Sequence, residues 1–269
     1  MRPLAHLTLA AGASLASGPV AAHGGWQGGV EHAPAWLLQA LYVLAWVGRA
    51  LGTARVPARP AQALAFHTAL LLAGVALFGP LDDWAAHSTA MHMVQHMVLI
   101  VGVAPLLVVA QPLPQWRACF GRLPVALARG PLRLAAAPMA AATVHALALW
   151  AWHAPGPYTA ALLHEGWHVL EHASFLLTAW IFWWSVWRAP AARGLGALAA
   201  LLFTLMHTGL LGALLTFAPQ PLYLRESRDL WDQQLAGLVM WVPGGLAYLA
   251  AAAWSAARLL DRADRRAPG

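Results

Sequence analysis

The sequence predicts an all-α protein, a polytopic transmembrane bundle of seven helices with its N-terminus outside the membrane and its C-terminus inside. Three observations lead there. Hydrophobic residues make up 60% of the chain and charged residues only 10%, with a mean hydropathy of +0.59. A water-soluble domain carries about 25% charged residues, so this chain lacks the polar surface a soluble globule needs. Several apolar runs approach the ~20 residues that cross about 30 Å of hydrocarbon. Arginine, finally, falls in alternate connections between those runs. No stretch alternates with period two over barrel-strand length, so a β-barrel is not expected.

The elements follow in order. Residues 1–22 read as a secretory signal: Arg2, a modestly apolar stretch, then small residues ending at Ala22. Residues 23–269 then form a single seven-helix transmembrane domain. Helix one is expected over Pro34–Leu51 and helix two over Ala61–Gly79. Helix three covers Thr89–Ala110, with a kink at Pro105. The interrupted stretch Gln111–Arg133 reads as a loop with a short interfacial helix whose arginines sit near the headgroups. Helix four spans Leu134–Trp152, helix five Glu165–Trp187 and helix six Leu195–Phe217. Helix seven runs Gln234–Ala257, where Pro243, Gly244 and Gly245 predict a kink or a close helix approach.

Charge sets the orientation. One set of connections, with the C-terminal tail, carries Arg49, Arg55, Arg59, Arg117, Arg122, Arg129, Arg133, Arg188, Arg193, Arg258, Arg262, Arg265 and Arg266. The opposite set holds Arg225 and Arg228 together with Asp82, Asp83, Glu165, Glu226, Asp229 and Asp232. The arginine side is cytoplasmic by the positive-inside rule, which agrees with an odd number of spans. The net charge of +6 therefore reflects topology. The arginines are scattered through short connections and form no nucleic-acid-binding face. Cys119 is the only cysteine, which excludes an intrachain disulfide and a paired-cysteine metal motif.

Histidine carries the chemistry. The segment Met91–Met97, MHMVQHM, sets His92 and His96 four residues apart, stacked on one helical face about 6 Å apart along the axis. His168 and His172 repeat that spacing in the first two turns of helix five, preceded by His164. Both pairs lie near the outer ends of their helices. His207, on helix six toward the outside, is a candidate to join them. Imidazole with thioether neighbours is a donor set suited to copper. Ionisable groups inside a membrane are costly and call for a reason. Isolated histidines such as His67 and His145 read as interhelical hydrogen bonds. Met91, Met93 and Met97 cannot all face one point, and methionine is also an ordinary gap-filler. His23, if cleavage frees it, offers an amine and imidazole that chelate Cu(II). Gln233 and Gln234 beside Asp232 suggest a polar shelf that holds partners for the imidazoles.

Four segments together resemble the CtaG family of cytochrome c oxidase assembly proteins, the multi-spanning kind associated with caa-type oxidases. They are HMVQHMVLIVGVAPLLVVAQP (His92–Pro112), HVLEHASFLLTAWIFWW (His168–Trp184), MHTGLLGALLTFAPQPLY (Met206–Tyr223) and DQQLAGLVMWVPGG (Asp232–Gly245). The resemblance implies a non-enzymatic assembly factor of the bacterial inner membrane, a metallochaperone with copper, as Cu(I), for cargo. Its partners would be the lipid bilayer, cytochrome c oxidase subunit I and other assembly factors. By the same analogy His92, His96, His168, His172 and His207 are its metal-handling residues. Three other readings stand beside it: a b-type haem protein with ligands from different helices, a membrane di-metal oxygenase, and a transporter.

Overall fold

The computed structural model describes residues 33–223 and 229–265. The expected leader, its cleavage point and His23 lie outside the described residues. Within them every regular element is helical. Helix α1 spans Ala33–Thr53 and α2 Pro60–Phe78; a short α3, Pro80–His87, precedes α4, Thr89–Ala110. Two further short helices follow, α5 (Leu113–Phe120) and α6 (Leu123–Leu134), and then α7, Pro138–Trp152. Helix α8 (Pro155–Leu163) leads into α9, Glu165–Trp187. Helix α10 is Gly194–Thr216 and α11 is Leu230–Asp264.

Six of these helices are long and apolar enough to cross a membrane, and a bent pair, α6 with α7, makes a seventh candidate. The fourth expected span is thus corrected. Leu134 ends α6, and the chain turns through 101° before Pro138 starts α7. Proline suits a first helical turn and disfavours helical backbone in the residue before it; Ala137 is extended and Pro138 starts α7, which makes the corner. Helix α7 alone is about 22 Å long, short for a full crossing. With α7 upright, α6 lies along the surface, and none of its residues is buried. The Gln111–Arg133 loop is accordingly two helices. The last span is also longer than expected, with 35 residues.

Helices α4, α9, α7, α10 and α11 pack side by side in a closed ring, each touching the next and α11 returning to α4. Helices α1 and α2 lie outside it against α9 and α4. Alanine at the crossings lets backbones approach: Ala104, Ala142, Ala179, Ala200 and Ala252 are all buried in the largest core cluster. Leu71, Leu147, Met206 and Leu246 point outward with most of their surface uncovered, as lipid-facing residues do.

Pro105 produces a π-helical segment, Val98–Val103, in place of a simple kink. The amide of Ala104 reaches back five residues to the Leu99 carbonyl. In that register the Ile100 carbonyl would take its proton from residue 105, and proline has none. The Trp183 indole on α9 donates to it instead, at 2.8 Å. Around Pro243, likewise, α11 stays continuous through a π-helical segment at Met240–Gly244.

Candidate metal centre

The site is built where α4 and α9 begin. They run in the same direction, His92 meeting His168 near their starts and Val108 meeting Arg188 near their ends, so their first turns meet at one depth. The start of α4 is fixed by Asp232 of α11. Its carboxylate accepts from the Ser88 hydroxyl at 2.6 Å and from the backbone amides of Thr89 and Ala90. The Asp232 carboxylate thus caps a neighbouring helix, while Asp229 caps α11. Gln233 and Gln234 bond the last turn of α10 and the segment after it through Leu215, Ala218 and Leu222, and do not form the expected shelf beneath the imidazoles. Gln95, between the two histidines of α4, donates to the Ala76 carbonyl and to Asp82, tying α2 and α3 to the same turn.

On this frame the four predicted histidines of α4 and α9 come together. His92 and His96 are 4.4 Å apart between ring centroids, and His168 and His172 are 4.2 Å apart. Across the helices, His92 lies 5.4 Å from His168 and 5.7 Å from His172, and His96 lies 5.1 Å from His172. His92, His96 and His172 are buried and His168 is partly covered. His207 is not brought to them. It lies on α10 against Phe203, and its electrostatic neighbour is His145 of α7. Helix α10 packs mainly on α7 and α11.

Glu171, which histidine spacing alone does not reveal, joins these rings. Its carboxylate is fully buried, with one oxygen 3.3 Å from His92 Nε2 and the other 3.7 Å from His96 Nε2. One ligand atom each from His92, His168, Glu171 and His172 lies within 4.8 Å of the other three. The signal was present in the motif HVLEH: an acid two turns inside an apolar helix, at i+3 from one histidine and next to another.

The donor set fits a cation. A charge-assisted hydrogen bond runs to about 2.7–2.9 Å, and neither imidazole contact of Glu171 reaches that. Glu171 Oε1, both ring nitrogens of His96 and His172 Nε2 make no hydrogen bond and are shielded from solvent. Buried polar atoms ordinarily find partners, and a buried carboxylate without a compensating positive charge is costly. One metal ion would answer the deficits of Glu171 and His172 at once.

The neighbours close the site. His153, just past the end of α7, places Nδ1 2.8 Å from the Leu149 carbonyl and Nε2 3.3 Å from Met93 Sδ. Burial pushes its pKa down, opposed by that backbone hydrogen bond. Tyr223 donates its hydroxyl to the His153 carbonyl at 2.9 Å and stacks on Tyr158, with centroids 3.8 Å apart. Burial raises the Tyr223 pKa, so the phenol stays protonated. His145 makes the expected interhelical contact through Nδ1, 2.9 Å from the Thr178 hydroxyl.

A sequence model described as cytochrome c oxidase caa3 assembly factor (Caa3_CtaG) matches residues 40–262. That range includes every residue of the cluster and most of the chain. No curated protein and no solved structure shows significant similarity.

Proposed function

The chain belongs to the Caa3_CtaG family of cytochrome c oxidase caa3 assembly factors, and from that premise we propose that it carries copper as cargo for the oxidase. His92, His168, Glu171 and His172 hold the ion, with His96 beside them. The protein sits in the bacterial inner membrane with the cluster near its outer face, and passes Cu(I) to oxidase subunit I without catalysing a reaction. The observation that carries this reading is the meeting of four ligand atoms within 4.8 Å in a buried site. Imidazole donors suit copper, and the carboxylate balances its charge. Partial cover over His168 gives the ion a way in and out.

The same packing weighs against haem. A macrocycle with ligands from the two helices would have to separate rings already 5.1 to 5.7 Å apart between centroids. An absorption spectrum of the purified protein is expected to show no Soret band.

The test is a titration of the full-length protein in detergent with Cu(I), in competition with a chromophoric chelator. The His92→Ala/His172→Ala double variant should lose one bound copper while keeping its thermal unfolding transition. In cells lacking the native protein, the same variant should leave the oxidase deficient in copper. Unchanged copper binding by a folded double variant would remove this assignment.

A further inference from the structure

We infer that Met93, His153 and His96 form a second, sulfur-containing position for a soft monovalent cation, next to the cluster and sharing its edge. The observation is a contact that hydrogen bonding does not explain. His153 Nδ1 lies 2.8 Å from the Leu149 carbonyl, and a carbonyl has no proton to give, so the ring proton sits on Nδ1. In the neutral ring Nε2 is then a bare lone pair, and it faces the Met93 sulfur at 3.3 Å. A thioether sulfur carries no proton either. Two donors therefore point at each other in a place shielded from water, with Met93 fully buried and His153 nearly so.

The separation suits one ion held by both. At bond lengths of about 2.0 Å to imidazole nitrogen and 2.3 Å to sulfur, a gap of 3.3 Å subtends roughly 100° at the metal, so neither side chain needs to move far. A third donor is at hand. The His96 ring lies 5.8 Å from that of His153, and both of its nitrogens are buried without a hydrogen bond. His96 also lies 3.7 Å from Glu171 and 5.1 Å, between centroids, from His172. One thioether with two imidazoles is a soft, low-coordination set, which selects Cu(I) over divalent ions. This inference rests on the copper reading above for its cargo and adds a step to it. The ion moves from the mixed histidine–carboxylate cluster, across His96, to a position that only the reduced metal favours.

X-ray absorption of the full-length protein loaded with Cu(I) alone tests the inference. A copper–sulfur path near about 2.3 Å is expected in the wild type, becoming a longer copper–selenium path in selenomethionine-labelled protein, which needs no substitution. Met93→Leu should abolish the path and weaken Cu(I) binding at this position by at least about tenfold. Met97→Leu should leave the path intact, and His153→Gln should lose it. Absence of sulfur from the wild-type spectrum, or its survival in Met93→Leu, overturns the inference. The two readings fail separately. Nitrogen and oxygen ligation alone, lost in His92→Ala/His172→Ala, leaves the cluster standing and removes the sulfur position. A sulfur path in the wild type, together with a double variant that binds as much copper as the wild type, does the reverse.

Discussion

Asp82 sits in the short helix α3 with its carboxylate nearly out of water, accepting from Gln95 at 2.8 Å. Burial raises its pKa from the ordinary 3.8 to about 6, against the opposing hydrogen bond from Gln95. The protonated form is thus the one the fold favours. Its contribution is full below about pH 4 and is lost as pH rises through 6, a change of about 3 kcal/mol at 1.36 kcal/mol per unit. Asp82→Asn keeps the acceptor and removes the charge. The variant should match the wild type near pH 4 and exceed its thermal stability above pH 6; parallel profiles from pH 4 to 7.5 would refute the assignment. Glu171 shows the limit of reading single residues. Its neighbours were legible because histidines spaced i, i+4 share a face on any helix. Its role was not, because an acid within one motif acquires a meaning only when His92 and His96 approach from another helix.

At the scale of elements, apolar length located the long helices closely, since hydrocarbon thickness dictates it. The bend between α6 and α7 was missed because Leu134–Ala137 is as apolar as the span that follows; only Pro138 marks the corner. Prolines 105 and 243 were legible as perturbations, but their resolution into π-helical turns depends on partners elsewhere. Trp183→Phe should leave the buried Ile100 carbonyl unpaired and cost about 1–2 kcal/mol, measurable by unfolding in detergent. Glycine provides a sharper test at the α10–α11 crossing. A Cβ on Gly237 would fall 2.4 Å from Thr216 Oγ1 and 2.5 Å from the Gly212 carbonyl oxygen. Gly237→Ala must push these backbones apart and should cost about 1–3 kcal/mol or more. At Gly130, on exposed α6, a Cβ meets nothing within 4 Å. Gly130→Ala should be neutral or slightly stabilising, so equal effects at the two positions would show the crossing is looser than described.

For the whole molecule, the alternation of charge along the chain corresponds to two distinct ends of the bundle. At one end Arg49 donates to Gln115, Arg55 to the Ala118 carbonyl, Arg188 to the Val108 carbonyl and Arg193 to the Ala136 carbonyl. At the other, Asp232 caps α4 and Glu165 accepts from the Ala35 amide at the start of α1. The histidine–glutamate cluster lies one to two turns below that acidic end. The positive-inside rule predicts that the arginine end faces the cytoplasm, which puts the cluster on the side from which periplasmic copper would arrive. Reporter fusions decide the matter. A fusion after Asp264 should be active only with a cytoplasmic reporter, and an insertion between Tyr223 and Asp229 only with a periplasmic one. The inverse pattern would place the cluster at the cytoplasmic face, where copper would have to come from inside the cell, and delivery from the outer side would no longer be possible.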